Sequence, residues 1–220
     1  MSEHQAVRVF LAGDSTVQTY APRAAPQAGW GQFVGDYFTP DVQFVNRAIG
    51  GRSSKTFVEE GRLDAILSEI APRDYLFTQM GHNDSTASRP ERHTDPGTTY
   101  REYLRMYVAG ARRHGAVPVL ITPVGRLHFE SGVFLDDFPA YCAAMKEVAA
   151  EEGVPLIDLM ARSLAHYASV GPDEARGYFM VSVNGTDHTH FTEKGANAVA
   201  RLVAQGVRDL DIGLSPYVRV

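Results

Sequence analysis

Five apolar runs recur along the chain, at residues 8–12, 43–48, 75–80, 117–122 and 155–159. None alternates strictly between apolar and polar, as expected for strands of a sheet covered on both faces. Between them lie stretches of helical periodicity. Leu63, Ile66, Leu67 and Ile70 share one face, as do Tyr100, Tyr103, Leu104, Tyr107, Val108 and Ala111. Tyr141, Met145, Val148 and Ala149 form a third face. A last helix is expected at residues 193–210, with Val199, Leu202, Val203 and Val207 inward and Thr192 as its N-cap. Strand and helix in alternation predict an open parallel α/β sheet in three layers. We see no linker, repeat or low-complexity stretch, so residues 1–220 read as a single domain, long enough to bury a core without disulfides.

Composition narrows the partners. With 44% apolar and 21% charged residues, the chain has the balance of a soluble globular protein. A formal net charge of −5 without a basic run argues against nucleic acid. No apolar run approaches the roughly 20 residues that span a bilayer. The first ten residues, "MSEHQAVRVF", carry neither a basic n-region nor an apolar h-region, so we expect a cytoplasmic protein, monomeric or homodimeric. The one cysteine, Cys142 in "AYCAAM", cannot form an intramolecular disulfide and reads as a small buried apolar residue.

In open α/β sheets, ligands sit beyond the carboxyl ends of the strands. Three short blocks fall there, "GDST" at 13–16, "GGRSS" at 50–54 and "GHND" at 81–84, and a fourth, "DHTHF" at 187–191, precedes the last helix. Two long polar connections, 84–99 and 125–139, follow strands and are placed to shape a site. Ser15 is the candidate nucleophile. A serine hydroxyl is weak at neutral pH and needs a base. His190 can supply it, with Asp187, three residues earlier on the same turn, holding the imidazole tautomer. The backbone N–H groups of Ser15 and Gly51 and the side-chain amide of Asn83 are candidate oxyanion donors. Taken singly, Ser15 reads as a cap or turn residue, His190 as a surface or capping histidine, Gly50-Gly51 as a tight turn and Asn83 as an Asx-turn residue. Gly13 lets the strand turn sharply to present Ser15, and Asp14 and Thr16 are expected to brace that turn. The residue two after Ser15 is Val17, so the G-x-S-x-G elbow is absent.

In this order the four blocks resemble the consensus blocks of the SGNH/GDSL hydrolase superfamily, with S, G, N and H at Ser15, Gly51, Asn83 and His190. "GWGQFV" at 29–34, "GRSSKTFVEEGRL" at 51–63, "PERHTDPGTTYREYL" at 90–104 and "DHTHFTEKGANAVARLVAQG" at 187–206 resemble the rhamnogalacturonan acetylesterase branch. The resemblance spans residues 8–210. It implies a flavodoxin-like three-layer α/β/α sandwich whose five-stranded parallel sheet has the order 2-1-3-4-5. It also implies O-deacetylation of carbohydrate, most simply pectic oligosaccharides, without metal or cofactor.

Three rival readings stand beside it. A metal hydrolase could draw ligands from His82, Asp84, Asp187, His188 and His190, although "DHTH" lacks the spacing of a helical zinc motif. A non-catalytic carbohydrate-binding protein would use aromatics such as Trp30, Tyr178 and Phe179 and would not need Ser15, Asp187 and His190 together. An esterase of this fold could act instead on xylan-type esters or on lipid or thioester acyl groups. The last would call for an apolar acyl channel, whereas "NDSTASRPERHTDPG" is polar. Arg89, His128 and Phe129 are candidates to line a sugar site or to be solvated loop residues. Arg52 could serve the site or act as a structural hydrogen-bonder. Trp30 could be core or platform.

Overall fold

Successive residues of a strand point to opposite faces, and in the first strand both faces are apolar. In the computed structural model, which describes residues 6–220, Val9 and Leu11 enter one core while Phe10 and Ala12 enter another. The reading of residues 1–10 as leaderless therefore falls partly on residues 1–5, outside the described residues.

The five apolar runs become β1 (Val7–Gly13), β2 (Val42–Asn46), β3 (Tyr75–Gln79), β4 (Val117–Ile121) and β5 (Leu156–Ile157). They form one parallel sheet in the order β2-β1-β3-β4-β5, the order expected. Val9 of β1 stands between Phe44 of β2 and Tyr75 of β3. The edge strands are shorter than their apolar runs. Asn46 ends β2 by accepting the Ala48 N–H on its own side chain, and Asp158 ends β5 by capping the helix that follows.

Four helices cover one face of the sheet: α1 (Ser54–Glu59), α2 (Arg62–Leu67), α3 (Thr99–Arg113) and α4 (Pro139–Glu152). On the other face lie α5 (Leu159–Val170), then the short α6 (Pro172–Arg176) and α7 (Val181–Asn184), and finally α8 (Glu193–Asp209). The expected inward residues of α8 are buried, except that Leu202 is half-buried. Thr192 caps α8 by accepting the Gly195 N–H. On α3, Tyr103 is half-buried rather than inward, and its hydroxyl donates to Glu59 at 2.8 Å. Helices α1, α5, α6 and α7 have no counterpart in the sequence reading.

Trp30 is core. It is 1% exposed, and its indole N–H donates to Gln79 Oε1 at 2.8 Å. Tyr178 and Phe179 are buried as well. Cys142 is buried on α4, and burial pushes its thiol up to about 12, so it is an inert packing residue. Among the described residues, no helix is long and apolar enough to cross a membrane.

Candidate active site

The end of β1 is built for close approach. A Cβ at Gly13 would lie 2.5 Å from Val17 Cγ2, so only glycine lets the chain fold back on itself there. Asp14 then holds the turn. Its Oδ1 accepts from the Thr16 N–H and hydroxyl, both at 2.8 Å, and its carbonyl accepts the N–H groups of Val17 and Gln18. Gln79 of β3 donates to Thr16 Oγ1 at 2.7 Å, which ties the turn to the neighbouring strand. Ser15 is left at the sheet edge, half-buried, with its hydroxyl free to face the last block.

That block is fixed from several sides. Asn184 Oδ1 accepts the N–H groups of Thr186 and Asp187. Met180 N–H donates to the His190 carbonyl, and Phe191–Thr192 pairs antiparallel with Gln27–Ala28. Asp187 Oδ1 accepts the backbone N–H groups of Thr189 and His190 at 3.0 Å each, and Oδ2 accepts from His190 Nδ1 at 2.7 Å. His190 Nε2 lies 2.9 Å from Ser15 Oγ. With the Nδ1 proton held by Asp187, Nε2 presents its lone pair to the Ser15 hydroxyl. Burial works to raise Asp187, but the two backbone hydrogen bonds and the His190 imidazole outweigh it, so its carboxyl sits below the ordinary value.

The expected oxyanion donors border the same space. Among the described residues, the backbone N–H groups of Ser15 and Gly51 meet no acceptor. Gly51 has φ +80°, so it is glycine for its left-handed backbone and not for lack of room. The Gly50 N–H, by contrast, is taken by Gln18 Oε1. Asn83 Nδ2 spends one N–H on the Arg52 carbonyl at 2.9 Å and keeps the other. Arg52 itself is structural, bridging Glu60 Oε2 and the Gly50 carbonyl.

Below Ser15 lies a buried pair that the sequence reading did not single out. Asp14 Oδ2 and His82 Nδ1 approach to 3.3 Å without hydrogen-bond alignment, and His82 Nε2 donates to the Val124 carbonyl at 3.0 Å. Burial works to raise the Asp14 carboxyl, but His82 and the Thr16 hydrogen bonds bring it below its ordinary value.

Ser15, Gly51, Asn83, Asp187 and His190 all line one cavity of about 1100 Å³. His128 and Phe129 line it too, from the loop after β4. Arg89 does not. It stands exposed, 3.9 Å from Glu91, and Arg92 reaches the cavity in its place. His188, the other histidine of the block, bonds the Leu127 carbonyl through Nδ1 at 3.2 Å. Asp84 is fully buried away from the cavity, against Ser54 and Thr94. Among the described residues, no three His, Cys, Asp or Glu side chains are grouped to hold a metal ion.

Known proteins resemble this chain in sequence and fold. Residues 9–203 match the family described as GDSL-like Lipase/Acylhydrolase. The chain is 59% identical over 210 residues to the probable rhamnogalacturonan acetylesterase YesY of Bacillus subtilis, covering 96% of both proteins. It is 42% identical to the rhamnogalacturonan acetylesterase RhgT of the same organism, over 96% of this chain and 94% of the relative. The crystal structure of Bacillus subtilis YxiM superposes with a TM-score of 0.86 at 34% identity, over 95% of this chain and 58% of that longer one. The chain belongs to the GDSL-like lipase/acylhydrolase family.

Proposed function

We propose that the protein is a serine esterase that removes O-acetyl groups from rhamnogalacturonan-derived, pectic oligosaccharides through an acyl-enzyme on Ser15. The observation that carries the chemistry is the relay Ser15 Oγ, His190, Asp187, with contacts of 2.9 and 2.7 Å. Ser15 Oγ attacks the acetyl carbonyl while His190 Nε2 takes its proton. The developing oxyanion receives the N–H groups of Ser15 and Gly51 and the free N–H of Asn83. The bond to the sugar oxygen then breaks, and His190 returns the proton to that oxygen. Water, deprotonated by His190, attacks the acetyl-serine, and acetate leaves with Ser15 restored.

The substrate is supported by the two relatives at 59% and 42% identity, both carrying the name rhamnogalacturonan acetylesterase. A cavity lined by Gln18, Asn83, Arg92, Arg126 and several histidines suits a hydroxyl-rich sugar better than a long acyl chain. In this reading residues 1–220 act as one catalytic domain in the cytoplasm, as a monomer or homodimer. Hydrolysis of acetylated rhamnogalacturonan oligosaccharides, acetylated xylo-oligosaccharides and a long-chain acyl ester, each followed by the acid it releases, tests it. The pectic ester is expected to give the highest kcat/KM. Preference for the xylo-oligosaccharide or for the long chain would replace the substrate and leave the serine chemistry standing.

A further inference from the structure

The cavity around Ser15 carries positive charge that the protein does not neutralise, in a chain whose formal net charge is −5. The two carboxylates in its lining are engaged, Asp187 by His190 and Asp137 by His128 Nδ1 at 2.6 Å. The two guanidiniums are not. Arg126 has no hydrogen-bond or ion-pair partner among the described residues. It is held over the Phe138 ring, 4.8 Å from the centroid, and its Nε is buried without an acceptor. Arg92 reaches only Thr86 Oγ1, through Nη2 at 3.5 Å, and its Nε is also buried without an acceptor. Other arginines are paired with carboxylates, as in Arg8–Asp74 at 2.6 Å, Arg47–Glu69 at 2.7 Å and Arg162–Asp209 at 2.9 Å, and neither Arg92 nor Arg126 has such a partner among the described residues.

Both side chains are fixed next to the chemistry. A Cβ at Gly51 would lie 4.0 Å from Arg92 Nη1, so Arg92 borders the oxyanion donors. Arg126 sits on the segment laced to the last block, where the Leu127 N–H donates to the His188 carbonyl at 2.9 Å. A guanidinium offers five N–H donors in a planar fork that matches a carboxylate, and leaving it partly buried without an acceptor costs free energy. Burial pulls Arg126 below its ordinary value, with Asp137, Asp14 and Asp187 opposing that from a distance.

We infer that Arg92 and Arg126 bind the carboxylate of a uronic acid unit, on the sugar that bears the acetyl ester or on its immediate neighbour, and thereby select acidic over neutral acetylated sugars. This rests on the pectic reading above, in which the substrate carries galacturonate units. Selection then comes from a charge-assisted contact made in binding, so its loss appears mainly in KM.

The test compares an acetylated rhamnogalacturonan oligosaccharide with its methyl-esterified, uncharged twin, reading acetate release. The wild-type protein is expected to favour the charged form in kcat/KM by about 10², the scale of one or two hydrogen bonds to a charged group. Arg92→Gln and Arg126→Gln should each lower that ratio about tenfold, mainly through KM, and the double variant should bring it near one. Arg126→Lys should recover part of it. Arg113→Gln, on the exposed end of α3, is the control and should leave the ratio alone. Unchanged far-UV spectra and melting temperatures show that the variants fold. Free galacturonate should inhibit the wild type competitively and the double variant weakly, and inhibition by inorganic sulfate without inhibition by galacturonate would overturn the uronate assignment. A wild-type ratio near one, or a ratio indifferent to both arginines, would overturn the inference while acetate release from both twins kept the pectic reading. No acetate release from either twin would overturn the pectic reading itself.

Discussion

Ser15 reaches the cavity because its neighbours are buried. Gly13 permits the fold-back, Asp14 is fully buried as its brace, and Thr16 links the turn to Gln79. Asn83 is the donor whose function is easiest to separate from its structural bond, because one of its two N–H groups is already held by the Arg52 carbonyl. Asn83→Ala is expected to lower kcat by about 10² to 10³ with KM little changed, the effect of losing one oxyanion donor. Steady-state kinetics on an acetyl ester reads this directly, and an unchanged kcat would return Asn83 to bracing the loop. At this scale the meeting of Ser15, His190 and Asp187 was legible in the sequence because Asp187 and His190 share a turn and their block stands before a helix with a cap. Arg92 was not. Its place depends on the path of a long polar connection, and the neighbouring Arg89 has the same chemistry and points elsewhere. Asn184 and the pairing of Asp14 with His82 were illegible for a similar reason, since each acts through a turn or a contact between distant segments.

Among the elements, α1 depends on a residue from another block. The Asp84 carboxylate accepts the Ser54 N–H at 3.0 and 3.1 Å, the Ser54 hydroxyl and the Thr94 hydroxyl, at the start of that helix. It thereby joins "GHND" to "GGRSS" and holds Gly51 and Asn83 in a common frame. The carboxyl is fully buried, and burial raises it to about 6 against the hydrogen bonds from Ser54 and Thr94, with Asp14 adding to the rise. The folded protein therefore keeps this proton in a range where the unfolded chain, at about 3.9, has lost it. Stability contributed by Asp84 is full below about pH 4, falls as pH rises from about 4 to 6, and is lower but constant above that, at about 1.4 kcal/mol per unit within the window. Asp14 and Asp187 act in the opposite sense, since their lowered values give stability above the ordinary carboxylate range that is lost only at more acid pH. Asp84→Asn should flatten the fall between pH 4 and 6, measured by urea unfolding at several pH values, and curves parallel to wild type would contradict the assignment. The long central strands and the capped α8 were readable from periodicity. Helices α5 to α7 were missed because the chain there packs through few apolar positions, such as Leu159 and Tyr167, broken by the glycine at 171.

For the molecule as a whole, the three layers and their parallel sheet followed from the alternation of apolar runs and helical faces, because a strand apolar on both sides can only be covered on both sides. The strand order came from resemblance and not from periodicity, which carries no information on which strands pair. What the architecture delivers is a meeting of residues 175 positions apart, Ser15 and His190, at the carboxyl edge of the sheet. The central claim is that this meeting makes Ser15 the nucleophile, and covalent labelling tests it most directly. After treatment with a serine-directed phosphonate, intact-mass and peptide analysis should find a single adduct, on the peptide containing Ser15, formed in step with the loss of acetate release. Ser15→Ala should neither label nor hydrolyse above a background lower by several orders of magnitude. An adduct on another residue, or a folded Ser15→Ala protein that still releases acetate at the wild-type rate, would contradict the account.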